Sequence, residues 1–67
     1  MREVDVTGLQ CTKAVMAVLR EIVSMQPHEE MRIKYEEPNA RRDIMAMVKR
    51  RDYKLIEDKK ELLIISK

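Results

Sequence analysis

The stretch that decides the fold is residues 31–51, which read MRIKYEEPNARRDIMAMVKRR. Its first six residues alternate apolar and charged side chains, a period of two that is typical of a strand with one buried face. After Pro38 the period becomes helical, and Asn39 is the expected N-cap of the new helix. The apolar residues that carry this helical period are Ala40, Ile44, Met47 and Val48. The stretch therefore predicts a strand followed directly by a helix.

A strand pattern followed by a helix pattern also occurs earlier in the chain. Residues 3–7 alternate polar and apolar side chains, and Gly8, the only glycine in the chain, ends this first predicted strand. From Val15 to Met25 the apolar residues recur every three or four positions, which predicts an amphipathic helix. Pro27 disfavours helical geometry at the residue before it, so we expect the helix to end near Met25.

Two further strands are predicted downstream, at residues 53–57 and 62–66. The polar residues 58–61 between them are few enough to join the strands as a hairpin. The last strand is apolar on both faces, which favours a central position in the sheet over an edge position.

These elements predict one α+β domain over residues 1–67, in the order β-α-β-α-β-β. Two helices cannot cover both faces of a four-stranded sheet. We therefore expect a two-layer α/β sandwich, a mixed sheet with both helices on one face and the other face partly open.

Composition narrows the class of protein. Charged residues make up 39% of the chain and aromatic residues only 3%, so the core must be aliphatic, with six methionines helping to fill it. No apolar run approaches the roughly 20 residues of a membrane-spanning helix. Acidic residues interrupt the start of the chain, which is unlike a signal peptide. We expect a cytoplasmic protein without a membrane span.

Charge is weak evidence about function. The net charge is +2, but residues 31–67 carry eleven basic and seven acidic side chains, a balance of 11 − 7 = +4. The local clusters are Arg41-Arg42 and Lys49-Arg50-Arg51. A small RNA-binding domain is therefore one hypothesis. It is the least favoured, because the chain has only two tyrosines for base stacking and no aromatic RNA motif.

The chain contains one cysteine and one histidine. This composition excludes an internal disulfide and a tetrahedral zinc site within one chain. We expect no metal and no cofactor. His28 lies in a predicted turn after Pro27, about 22 Å along the helix from Cys11, so we discard it as a catalytic partner of Cys11.

Cys11 lies where the first helix is expected to begin. Unpaired N–H groups and the positive end of the helix dipole favour a thiolate there, so we expect the pKa of the thiol to fall below its usual 8.5 or so. Lys13 adds a nearby positive charge. The alternative stays open at this point, since a lone cysteine is also commonly a small buried apolar residue.

Two segments of the chain resemble the TusA/SirA-like sulfur-carrier family. Residues 4–11, VDVTGLQC, resemble its opening strand, Gly-Leu pair and helix-start cysteine. Residues 37–44, EPNARRDI, resemble its acidic-Pro segment that leads into an Asp-hydrophobic pair. The closing hairpin fits as well, and the family's two-layer α/β sandwich has the element order derived above. The chain departs from the family's Cys-Pro-x-Pro motif, because Thr12 and Ala14 replace the two prolines. It also has Thr7 where the family commonly has arginine.

The resemblance implies a function for Cys11. In this family the cysteine accepts a sulfane sulfur as a persulfide and relays it between donor and acceptor proteins, with tRNA thiolation among the routes. The lost prolines leave N–H groups on Thr12 and Ala14, which we expect to preserve the anion-binding character of the helix start. Whether the chain is an enzyme in its own right stays open.

Four further residues are candidates for stabilising the thiolate or docking a partner, namely Thr12, Lys13, Arg41 and Arg42. The alternative for the two arginines is a solvated helix face. Asp43 is expected to cap the second helix. The main alternative to a sulfur carrier is a non-catalytic binding or regulatory module on the same scaffold. We expect a monomer or a weak dimer.

Overall fold

The computed structural model describes the backbone of residues 2–67 and the side chains of residues 2–10 and 12–67. The order of elements is β-α-β-α-β-β, as the sequence predicts. The elements are β1 (Arg2–Asp5), α1 (Cys11–Val23), β2 (Glu30–Lys34), α2 (Pro38–Arg50), β3 (Lys54–Lys59) and β4 (Leu62–Ser66).

The four strands form one mixed sheet in the order β1-β2-β4-β3. β1 pairs parallel to β2, whereas β4 pairs antiparallel to both β2 and β3. The predicted central position of β4 is confirmed. Its side chains are buried on both faces, because Leu63 and Ile65 join the core while Ile64 lies between Arg32 and Glu57 on the opposite face.

One core lies between the helices and a single face of the sheet, and it is aliphatic as expected except for the buried Tyr35. The strands contribute alternate residues to it, so Met31 and Ile33 of β2 are fully buried while Arg32 and Lys34 are exposed on the open face. The largest fully buried side chains are Ile22, Met31, Ile33, Ile44, Leu63, Ile65, Val6 and Val18. The two-layer arrangement with helices on one face is therefore the observed architecture.

The second helix begins earlier than the sequence predicts. Glu37, not Asn39, is the N-cap: Glu37 is extended, Pro38 occupies the first turn, and the N–H of Arg41 donates to the Glu37 carbonyl at 3.2 Å. The expected Asn39 cap was therefore wrong. The proline explains the difference, because it fixes a helical φ at its own position and forces extended geometry on the residue before it.

Three other boundaries shift by a few residues. β1 ends at Asp5 and α1 ends at Val23, each about two residues before the predicted end. β3 continues to Lys59, which leaves Lys60 and Glu61 as a two-residue hairpin loop. Pairing between β3 and β4 is irregular at Ile56, where a β-bulge separates Leu55 from Glu57.

Two cations hold the C-terminal end of α1. The ammonium group of Lys67 donates to the carbonyls of Ile22 at 3.1 Å and Met25 at 3.0 Å. The guanidinium of Arg2 donates to the Ser24 carbonyl at 3.1 Å and forms ion pairs with Glu21 and Glu29. Both cations sit at the negative end of the helix dipole, where they stabilise the helix.

The C-terminus of α2 is a Schellman motif. The N–H of Tyr53 donates to the Val48 carbonyl at 3.0 Å, and the N–H of Asp52 donates to the Lys49 carbonyl at 3.2 Å. This geometry requires left-handed backbone at the residue after the cap, and Asp52 has φ of +60°. Glycine adopts that conformation without the steric cost that a side chain imposes.

We therefore expect Asp52→Gly to raise the free energy of unfolding by about 1 kcal/mol, because it relieves the left-handed strain. Urea unfolding followed by circular dichroism measures the change. Ala46→Gly, in the exposed interior of the same helix, is the matched control and should lose about 1 kcal/mol. A lower urea midpoint for Asp52→Gly would contradict the prediction.

Candidate functional site

A tight turn at the only glycine connects β1 to α1. The N–H of Leu9 donates to the Val6 carbonyl at 3.0 Å, and Gly8 between them has φ of +83°. A Cβ built on Gly8 would meet no atom within 4 Å, so the demand for glycine comes from the backbone conformation alone. The turn fixes the direction in which the chain enters α1.

Asp5 and Thr7 brace this turn. The Asp5 carboxylate accepts hydrogen bonds from the Thr7 hydroxyl at 2.6 Å and from the Thr7 N–H at 2.9 Å. The hydroxyl bond first, and then the N–H bond, hold the pKa of Asp5 below its ordinary value of 3.8, and the charge of Lys34 acts in the same direction. The Asp-x-Thr spacing is a recognisable turn signal that the sequence interpretation did not use.

Helix α1 begins at Cys11. Gln10 is the N-cap with extended backbone, and no side-chain cap is present among the described residues. The N–H groups of the first turn therefore lie at the positive end of the helix dipole. Arg2 and Lys67 donate hydrogen bonds at the opposite, negative end. The thiol of Cys11 lies outside the described side chains, so its lowered pKa stays a prediction.

The two positions that replace the motif prolines differ in structure. Thr12 is exposed in the first turn of α1. Ala14 is fully buried, and its N–H donates to the Gln10 carbonyl at 2.8 Å. The expectation that Ala14 offers its N–H to an anion was therefore wrong, because the first intrahelical hydrogen bond already uses it.

The starts of both helices lie at one edge of the domain. The parallel strands β1 and β2 each lead into a helix at that edge, and a shallow pocket there is shared by the two starts. Its lining residues are Gln10, Thr12, Lys13, Glu37 and Asn39. The structure therefore brings Thr12 and Lys13 together with the start of α2, next to the first residue of α1.

Arg41 and Arg42 do not line this pocket. Arg41 forms an ion pair with Asp58 of β3, which raises the pKa of the guanidinium further above its already high value. Arg42 is exposed, with its Nε 3.7 Å from the Asp43 carboxylate. Asp43 is not the predicted cap, because α2 begins five residues earlier, at Pro38.

The remaining candidates lie elsewhere. His28 is exposed in the turn that follows α1, with φ of +70°, and its N–H donates to the Lys67 carbonyl at 3.3 Å. Across the described residues, no three His, Cys, Asp or Glu side chains gather as a metal-binding group. Within the same part of the chain, no helix combines the length and apolar character needed to cross a membrane.

An open groove between α1 and α2 was not predicted from the sequence. It begins at Thr12 and Asp43 and extends to Leu19 and Arg50. Its most exposed large apolar side chain is Met16, at 51%. Helical periodicity in the sequence cannot reveal the groove, because the groove depends on the distance between the two packed helices.

Comparison with known protein families shows which family the chain belongs to. The family model described as Sulfurtransferase TusA matches residues 2–65, nearly the whole chain. The chain belongs to the TusA family. No curated protein matches it.

Membership of the TusA family confirms the resemblance seen in the sequence and supports a sulfur-carrier role in general terms. TusA family proteins relay sulfur with partner proteins. The match includes the β1–α1 turn, Cys11 and the start of α2, so the edge described above is part of the TusA domain.

In this TusA domain we expect Thr7→Val to raise the pKa of Asp5, because the hydroxyl hydrogen bond is the largest cause of its depression. A depressed carboxyl pKa stabilises the folded state above the ordinary value and loses that contribution as the pH falls through the folded value. The stability difference between the wild type and Thr7→Val should therefore be largest near neutral pH and shrink below pH 3.8.

Carbon-detected NMR titration of the Asp5 carboxyl group, with urea unfolding at several pH values, measures both effects. Thr12→Val is the matched control, since Thr12 is exposed and the hydrogen bonds to the Asp5 carboxylate come from Thr7. An unchanged Asp5 pKa in Thr7→Val would contradict the assignment.

Restoring the two TusA-motif prolines should have unequal effects. Thr12→Pro removes an N–H that has no intrahelical acceptor, so the free energy of unfolding should change by less than about 1 kcal/mol. Ala14→Pro breaks the bond to Gln10 and crowds a fully buried position, which should cost about 3 kcal/mol. Thermal unfolding of the two variants compares them directly, and equal losses would refute the distinction.

Proposed function

We propose that this TusA-family protein carries a sulfane sulfur as a persulfide on Cys11 and passes it to a partner protein. The observation that carries the proposal is the family match over residues 2–65, with the only cysteine of the chain at the first residue of α1. Cys11 is thus the only side chain that can hold sulfur covalently as a persulfide.

The proposed transfer needs no external oxidant. The Cys11 thiolate attacks the outer sulfur of a donor persulfide, the donor S–S bond breaks, and the donor leaves as a thiolate. An acceptor thiolate then attacks the outer sulfur on Cys11 and regenerates the Cys11 thiolate. Each step forms one S–S bond and breaks another, so the electrons balance. Because the chain has no second cysteine, no intramolecular disulfide can discharge the persulfide.

Two features of α1 support this chemistry. Its first turn has no side-chain cap among the described residues, which leaves backbone N–H groups for an anion. Thr12 and Lys13, which follow Cys11 in the chain, are exposed, so a partner protein has access to this end of the helix. Exposed transfer suits a chain of 67 residues that has no deep substrate cavity among its described residues.

We expect the reduced protein to gain one sulfur atom when it is incubated with inorganic polysulfide, a donor that requires no protein recognition. Intact-mass spectrometry detects the adduct, which a thiol reductant should remove. Cys11→Ser should gain none. Absence of the adduct from the wild type, or its persistence in Cys11→Ser, would overturn the proposal.

A non-catalytic binding module on the same scaffold is the second candidate, and the replacement of both motif prolines by Thr12 and Ala14 favours it. The pKa of Cys11 distinguishes the two functions. A carrier requires a thiolate population near neutral pH, whereas a binding module does not. The rate at which iodoacetamide alkylates Cys11, measured as a function of pH, gives this pKa. An ordinary value near 8.5 would favour the binding module.

A further inference from the structure

The groove between α1 and α2 has a volume of about 330 Å³, and five of its nine lining residues are apolar. Val15, Met16 and Leu19 line it from α1, and Ala46 and Met47 line it from α2. Met16 is half exposed, although an apolar side chain of this size is usually buried. Methionine is flexible and adapts its shape to different bound groups, which suits a docking surface.

The groove leads away from the proposed sulfur site. Thr12, the residue after Cys11, lines its near end together with Asp43, whereas Arg50 and Arg51 line its far end. Seven residues separate Asp43 from Arg50, which is about 10 Å along the helix axis. A partner lying in the groove therefore has one end beside the start of α1, next to Cys11.

The charges at the two ends of the groove differ. The Asp43 carboxylate at the near end already lies 3.7 Å from Arg42. At the far end, no carboxylate of the described side chains lies within ion-pair distance of Arg50 or Arg51. The side-chain charge without an ion-pair partner at this end is therefore positive, and a complementary partner presents carboxylates there.

The dimensions favour a short segment over a second copy of the chain. A stable dimer buries about 800 Å² per subunit with roughly 20–30 residues on each side. That area is about a sixth of the 4556 Å² total surface, whereas nine residues line the groove. A length of 10 Å corresponds to about two turns of helix. The groove thus matches one helical segment of a partner protein.

We propose that the α1–α2 groove docks an amphipathic helical segment of a partner protein, with large apolar side chains against Met16 and carboxylates against Arg50 and Arg51. This rests on the proposed function, because the partner is the protein that exchanges sulfur with Cys11. Docking holds the partner's reactive sulfur at the near end of the groove, beside the first turn of α1.

A fluorescein-labelled synthetic peptide tests the proposal. The probe is a 14-residue helix-forming peptide with leucines along one face and glutamates at one end; its matched control has lysines in place of the glutamates. We expect the wild type to bind the glutamate peptide at least tenfold more tightly at low salt, by fluorescence anisotropy. Added salt should reduce the preference.

Variants locate the binding site. The double substitution Arg50→Glu and Arg51→Glu should abolish or reverse the preference for the glutamate peptide. Lys54→Glu with Lys60→Glu, two exposed residues that do not line the groove, changes the net charge equally and should retain it. Met16→Asp should weaken binding of the glutamate peptide at least tenfold. Circular dichroism checks that each variant folds.

Several outcomes would overturn the docking proposal. These are no peptide binding, equal affinity for the two peptides, or an unchanged preference in the Arg50 and Arg51 variant. Self-association lost in Met16→Asp, by analytical ultracentrifugation, would assign the groove to a second copy instead. Binding of a labelled single-stranded RNA in place of the peptide would assign the arginines to nucleic acid.

The docking proposal and the carrier proposal fail separately. A wild-type protein that accepts sulfur from polysulfide but does not distinguish the peptides refutes docking alone. A wild-type protein that distinguishes the peptides but accepts no sulfur refutes the carrier function, and with it the identity of the partner as a sulfur-exchanging protein.

Discussion

The burial of β4 on both faces is the constraint on which the rest of the structure depends. Among the strands that the structure describes, β4 alone pairs antiparallel on both sides, and its Leu63 and Ile65 belong to the core that both helices share. With no Phe or Trp in the chain, this aliphatic strand provides much of the volume that larger aromatic side chains fill in other small domains. The helices, and with them the edge that carries Cys11, are positioned by this packing.

The fold was largely predictable, because each element has its own hydrophobic period. The alternation at residues 31–36 predicted a strand with one buried face, and the apolar run at residues 62–65 predicted a central strand. Both are observed. The ends of elements were less predictable. They depend on single hydrogen bonds, such as those from Thr7 to Asp5, or on the conformational restriction by Pro38 of its neighbour.

The candidate site was also predictable only in part. A local signal, the glycine turn followed by a helical period, placed Cys11 at the start of α1, where the backbone has it. Contacts between distant residues were not predictable, since the pairing of Arg41 with Asp58 depends on how α2 packs beside β3. The same holds for the two hydrogen bonds from the Lys67 ammonium to carbonyls at the C-terminal end of α1. Their acceptors lie 45 and 42 positions earlier in the chain.

The bulge in β3 has a consequence for the behaviour of the protein at high concentration. β3 is an edge strand, and its Leu55 and Ile56 are partly exposed. A straight, apolar edge is a template on which further copies add strand by strand into aggregates. The bulge at Ile56 breaks the regular spacing of backbone donors and acceptors along this edge, and Lys54 and Lys59 place charge at both of its ends. The bulge and the two lysines therefore make β3 a poor template for the addition of further copies.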